Sequence, residues 1–339
     1  MADHVATTIA TWAGAIAGML QTRGVDPALV FEAAGLDLAL TFEPEARLPI
    51  TGMTRLWREA CRLTGDEAVG LEVAAHVTPS ALYRLGDALV VSDNLLDAAY
   101  RIERLGRLVS DAGSTRVMEH PEWVDLVTEE ADGVELAHEA LDATAGTLVQ
   151  FSRMLAGSPD SAPVFVHLPR PAPRRPERFS RFFRCPVAFG QQRLCIRMSR
   201  TLAERPLPAA NRDRALAYEA VIEQVLARMA EGDLLHQVRC EMIRRLALGE
   251  PLVEDVARGL GLSVRTLQRR LASRNSGFEL LLDDTRHQLA RAYLSHWPGA
   301  LAEISERLGF SDPANFNRAF RRWQGMTPGQ WRKSQGSGG

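Results

Sequence analysis

The chain has 339 residues, 46% of them hydrophobic, with 40 Lys plus Arg against 42 Asp plus Glu and a formal net charge of −2. That length suits two or three domains, and no apolar run approaches the ~20 residues of a membrane-spanning helix, so no membrane partner is expected. Its four cysteines, Cys61, Cys185, Cys195 and Cys240, lie too far apart for a paired metal-ligand motif, so they are expected to be buried thiols, with neither metal nor cofactor.

In chain order, Met1-Ala2-Asp3-His4 lacks the basic and apolar regions of a secretory signal, and a cytoplasmic protein is expected. Apolar spacing predicts helices over 8–21 and 51–63, with Asp26 and Pro27 starting a shorter one between them. The helical layer continues over 67–75, 81–91 and 95–109. Residues 116–118 and 123–128, separated by Glu119-His120-Pro121-Glu122, read as a β-hairpin, and 131–155 as one long helix. Candidate strands follow at 164–168, 187–189 and 194–198. Between the first two, Arg174, Arg175, Arg178, Arg181 and Arg184 surround Phe179, Phe182 and Phe183 on a short helix. A helix over 211–231, bearing Leu216, Val221, Val225 and Met229, leads through a boundary near Gly232.

The last hundred residues contain one helix-turn-helix pattern twice. The first copy runs Val253-Glu254-Asp255-Val256-Ala257, Leu260-Gly261-Leu262-Ser263 and Leu267-Gln268-Arg269-Arg270-Leu271. The second runs Leu301-Ala302-Glu303-Ile304-Ser305, Leu308-Gly309-Phe310-Ser311 and Phe316-Asn317-Arg318-Ala319-Phe320. Two helices that cross steeply need a small residue where their backbones meet, here Ala257 and Ser305. They also need a residue tolerant of positive φ at the turn, here Gly261 and Gly309. Ser263, and Asp312 followed by Pro313, are the caps of the second helix in each copy. Between the copies, residues 278–295 hold no glycine or proline. As a helix they span about 27 Å, enough to hold two recognition helices about one turn of B-DNA apart.

From Leu301 through Phe310-Ser311-Asp312-Pro313, Phe316-Asn317-Arg318-Ala319-Phe320-Arg321-Arg322-Trp323 and Gly325-Met326-Thr327-Pro328-Gly329-Gln330-Trp331-Arg332, the chain resembles the AraC family of transcription regulators. Trp331 stands where members of that family usually carry tyrosine. The resemblance implies a seven-helix DNA-binding domain, a role in transcription initiation with RNA polymerase as partner, and a separate sensor or dimerisation domain. Residues 20–208 are similar to the arabinose-binding-like sensor domain of AraC relatives of the ornithine-regulator type. The similarity rests on Arg47-Leu48-Pro49, Leu56-Trp57, Thr64-Gly65-Asp66, Val164 to Pro169, Cys185-Pro186-Val187-Ala188-Phe189 and Pro206-Leu207-Pro208. It implies small-molecule sensing without identifying a ligand-binding residue, and arabinose is not inferred from it.

Charge separates the same two parts. From Leu234 onward there are 16 Arg plus Lys and 10 Asp plus Glu, a balance of +6; the remainder carries 24 against 32, a balance of −8. A basic module joined to an acidic one is what phosphate binding by one half requires. With Leu267 and Leu271 facing inward, Arg265, Gln268 and Arg269 project as base-reading candidates. Asn315 and Arg318 do so beside the buried Phe316 and Phe320. Arg270, Arg321 and Arg322 are assigned to phosphate.

No HExxH pair, glycine-rich phosphate loop or GxSxG elbow is present, and no enzyme is expected. The expected fold is a helix-rich mixed α/β sensor and dimerisation domain over 1–210, a linker helix over 211–233, an all-α domain with two helix-turn-helix motifs over 234–333, and a flexible tail over 334–339. The expected function is sequence-specific binding of promoter DNA by a ligand-responsive activator of nearby operons, with a homodimer as a further expectation. A ligand-independent repressor or architectural DNA-binding protein is the alternative, separable by whether the first domain holds an apolar pocket or a solid core.

Overall fold

The computed structural model describes residues 6–43, 45–230, 234–246, 249–296 and 299–336. The boundary expected near Gly232, the residues Met1 to His4 and the end of the tail lie outside them. The chain divides into two compact units, one of Met1–Leu38 with Arg47–Arg228, the other of Ala39–Ala46 with Met229–Gly339.

In the first unit, β1 (Thr7–Ile9) precedes α1 (Ala10–Thr22) and α2 (Pro27–Ala33), and β2 (Arg47–Pro49) precedes α3 (Ile50–Thr64). The helix expected from residue 8 starts only at Ala10. The β-branched run Thr7-Thr8-Ile9 pairs antiparallel with β2, Thr8 opposite Leu48, and Ile9 N donates to Val109 O at 2.8 Å. Next come α4 (Val69–Ala74), α5 (Arg84–Val90) and α6 (Leu95–Leu105). Tyr83 has φ 53°, which no helix passes through, so the helix expected from residue 81 begins after it.

A hairpin of β3 (Gly113–Glu119) and β4 (Trp123–Glu130) leads to α7 (His138–Leu155), then β5 (Phe165–His167), α8 (Glu177–Phe183), β6 (Val187–Ala188), β7 (Leu194–Ser199), α9 (Arg200–Ala203) and α10 (Arg212–Ala230). The sheet order is β3-β4-β7-β5-β6, antiparallel except for β5 with β6. Along β7 the alternation is clean: Leu194, Ile196 and Met198 are buried and the residues between them half-buried. The long helix expected over 131–155 begins seven residues late. Ala131 N closes the hairpin on Ala112 O at 2.9 Å, and Gly133 then turns the chain at φ 74°.

Helix α7 lies tightly against α4. A Cβ on Gly70 would come within 2.3 Å of Glu139 O, so only glycine permits that approach. Beside it Asp142 is fully buried and accepts from Arg170, whose guanidinium also donates to Glu67 O at 3.0 Å and lies over the Phe179 ring. Burial pushes the Asp142 carboxyl up and the arginine pulls it back. On α10 the inward face is Ala215, Ile222 and Val225 together with Glu219, which pairs with Arg101 at 2.7 Å; Leu216 and Val221, expected on the apolar face, point outward. Of the cysteines only Cys240 is buried, and the other three are half-buried.

The second unit holds α11 (Leu234–Leu246), α12 (Val253–Gly259), α13 (Val264–Ala272), α14 (Phe278–His296), α15 (Leu301–Arg307), α16 (Pro313–Gln324) and α17 (Pro328–Gly336). Its core includes an aromatic chain in which Phe316 meets Phe310 and Phe320 at ring-centroid distances of 5.8 and 5.9 Å, and Phe320 meets Trp331 at 6.1 Å. Within this unit the segment Ala39–Ala46 sets Phe42 edge-on to Tyr293 of α14 at 5.4 Å and buries Glu43. Burial, opposed by Arg239, pushes the Glu43 carboxyl up to about 7.

Candidate nucleic-acid interface and sensor cavity

Each helix-turn-helix is built as its sequence dictates. Ala257 and Ser305 are both 1% exposed at their helix crossings, and Gly261 and Gly309 take φ values of 65° and 68°. Ser263 Oγ accepts from Thr266 N at 3.2 Å to start α13, and Asp312 Oδ1 accepts from Ala314 N at 2.8 Å to start α16. Leu267 and Leu271, and Phe316 and Phe320, are buried, which fixes what the opposite faces present.

On α13 the exposed face carries Arg265, Gln268, Arg269 and Arg270. On α16 Arg318, Arg321 and Arg322 are exposed and Asn315 is half-buried. The Arg318 guanidinium donates to Asn315 Oδ1, so these two side chains act as one polar surface. Arg322 donates to Asp283 Oδ1 of α14 at 2.5 Å, and Trp323 Nε1 donates to Asp283 Oδ2 at 2.8 Å. Arg322 is thus braced against α14, whereas Arg321 has no acidic partner among the described residues.

Helix α14 does more than separate the two motifs. His287 stacks on Trp323 at 5.2 Å and its Nε2 lies 2.6 Å from Gln324 Nε2, while burial, then Arg291, push the imidazole pKa down. Arg286 Nε donates to Leu308 O at 2.9 Å, and its guanidinium stacks over Phe310. From the sequence this helix is only a spacer. Its polar residues Asp283, Arg286 and His287 were the available signal, but which ones turn inward depends on where α15 and α16 pack.

The first unit contains a cavity of about 230 Å³ between its helices and sheet. Trp57 of α3, Leu89 of α5, Ala99 of α6, Leu126 of β4 and Phe151 of α7 line it, so apolar surface dominates. Thr147 of α7 also lines it. That residue is 4% exposed, and its hydroxyl has no hydrogen-bond partner among the described residues. None of these positions is legible as a site in the sequence, because they are scattered over five elements and look like ordinary core. Among the described residues no three His, Cys, Asp or Glu side chains group closely enough to hold a metal ion, and no helix is long and apolar enough to cross a membrane.

Residues 24–207 match the model of the arabinose-binding N-terminal domain of AraC transcription regulators, and residues 256–334 match a helix-turn-helix domain model. The ornithine utilization regulator of Pseudomonas aeruginosa is 30% identical over 325 residues, covering 95% of each chain. The transcriptional regulator VirS of Mycobacterium tuberculosis is 26% identical over 332 residues, again covering 95% of each. The crystal structure of the transcriptional regulator CdpR from Pseudomonas aeruginosa aligns over 95% of this chain and 98% of its own at 23% identity, with a TM-score of 0.48. A duplicated, capped helix-turn-helix beside a sensor-type unit and full-length similarity to named regulators lead to one assignment: this chain is a DNA-binding transcription regulator of the AraC family.

Proposed function

We propose that this regulator is a ligand-responsive activator, in which a small molecule held by the first unit sets how the second engages promoter DNA. The cavity carries the reading: a solid core would leave a sensor nothing to hold, and this unit instead contains an apolar-walled space. Arg265, Gln268 and Arg269 of α13, and Asn315 and Arg318 of α16, read base edges; Arg270, Arg321 and Arg322 hold phosphates. Exposure of the arginines and of Gln268, opposite buried anchors, supports these roles. RNA polymerase and a second copy of the chain complete the partners, and the site of action is the cytoplasm. The domain division of the reading is 1–210 for sensing, 211–233 as linker and 234–333 for DNA.

The test is selection of a binding site from random duplexes, followed by a reporter driven from that site. Full-length protein should change reporter output with growth condition, and the fragment 234–333 should bind without that response. A fragment that regulated identically to the full chain under every condition would favour the ligand-independent repressor.

A further inference from the structure

Eight residues depart from the order of the chain: Ala39–Ala46 belong to the second unit, although the chain before and after them belongs to the first. We infer that this strap positions the DNA-binding helices. Docked on α11 and α14 it holds the second unit in its binding form, and the first unit governs docking through the joint at Arg47. The governing half rests on the sensor reading above; the docking half stands without it.

Two contacts hold the strap. Phe42 meets Tyr293 of α14 edge-on at 5.4 Å, and Tyr293 is itself 2% exposed. Glu43 is buried within the field of Arg239 of α11, whose guanidinium donates to Asp284 of α14. The strap therefore spans both helices. One residue before Asp284, Asp283 receives Arg322 and Trp323 of α16, and Arg286 of the same helix holds the turn at Leu308 and Gly309. Packing that steadies α14 at Tyr293 and Asp284 thus steadies the platform on which α16 stands. Phe42 acts through α14, as a positioning residue.

Docking is also finely balanced. Burial of Leu40 and of much of Phe42 favours it. Against it, Glu43 Oε2 and Arg239 Nη1 are buried without a hydrogen-bond partner among the described residues, so water is lost from both with no bond in return. Docked and released states that lie close in free energy are what a ligand can shift.

The joint to the first unit is firm. Arg47 pairs with Ile9 across β1 and β2, its Nε donates to Thr7 Oγ1 at 2.7 Å, and its Nη1 donates to Leu108 O at 2.7 Å. Three residues further on, Ile50 opens α3, and Ile50, Met53 and Trp57 line the cavity. Thr8, opposite Leu48 in β2, lines it as well. An occupant that displaces this wall displaces β2, and with it the end of the strap.

The experiment is anisotropy titration of the full-length protein on the selected duplex, with the reporter in parallel, for the parent chain, Phe42→Ala, Glu43→Gln and a chain with Gly-Ser-Gly-Ser inserted between Ala46 and Arg47. If the docked fraction alone binds tightly, Phe42→Ala should weaken binding about tenfold and Glu43→Gln should strengthen it about two- to threefold. Misfolding cannot produce that gain. The insertion adds about 13 Å of slack, so its chain should bind as the parent does but lose most of the variation in reporter output between growth conditions. A strap with a merely structural role would leave that variation intact. Unchanged affinity in Phe42→Ala, no gain in Glu43→Gln, or a full reporter response in the insertion chain would overturn the inference. A parent chain whose reporter output never varies would instead remove the sensor reading, and the two affinities would still decide whether docking positions the DNA-binding helices.

Discussion

Arg286 of α14 donates from Nε to the carbonyl of Leu308 at 2.9 Å and from the guanidinium to Gly309 O at 3.2 Å, at the turn between the two helices of the second motif. At Gly309 the turn has no side chain to anchor it, although Leu308 before it is buried. At Gly309 a Cβ would come within 2.7 Å of Gly249 O, and the residue's φ of 68° already favours glycine. Arg286 therefore supplies the anchoring that glycine cannot, and through it α14 sets where α16 points.

Replacing Arg286 with methionine keeps the apolar stem but leaves two carbonyls without their charged donor. Unfolding of the fragment 234–333 in urea should show a loss of about 2–3 kcal/mol. Arg286→Lys should recover little, because a single ammonium cannot reproduce a planar fork directed at both carbonyls.

Base reading and phosphate holding separate by their dependence on sequence and salt. Arg269→Ala or Arg318→Ala should cost roughly 1–3 kcal/mol on the selected site and relax preference at one base position. Arg321→Ala should weaken all duplexes alike and lower the salt dependence by about one counterion. Arg322→Ala should lower it less, because Asp283 already neutralises that charge at 2.5 Å. Titrations on matched and single-substituted duplexes at several salt concentrations measure all four.

The buried pair of Asp142 and Arg170 predicts a non-additive stability pattern. Arg170→Met strands a carboxylate in a fully buried place and should destabilise the first unit by about 3–5 kcal/mol. The double change with Asp142→Leu should restore much of that loss, because replacing a whole buried pair by apolar groups is far cheaper than breaking it. Thermal or urea unfolding of these two variants and of Asp142→Leu alone completes the cycle.

Glu43 carries a pH signal. Its folded-state pKa, raised by burial to about 7 from 4.5, means that folding favours the protonated carboxyl. Its contribution is therefore full below about pH 4.5 and is lost as pH rises through 7. Unfolding of the full chain between pH 5 and 8 should show stability of the second unit falling on this account, by up to on the order of 3 kcal/mol. Glu43→Gln should flatten that part of the profile; an unaltered profile would remove the assignment.

The sequence by itself determined the DNA-binding half almost completely. A short turn, a small residue at the crossing and a cap at the recognition helix are local requirements, met within each copy by Ala257, Gly261 and Ser263, or by Ser305, Gly309 and Asp312. The outward faces of α13 and α16 follow from the buried positions of Leu267 and Phe316 by helical period alone. In the other half, element types were legible but several boundaries were not. The start of α1 is decided by pairing with a strand forty residues away, and the start of α7 by closure of a hairpin. Only the tertiary structure could show the cavity and the brace from Arg286. Each depends on side chains meeting from segments far apart in sequence, and hydrophobic periodicity tells which face is inward without telling what it meets there.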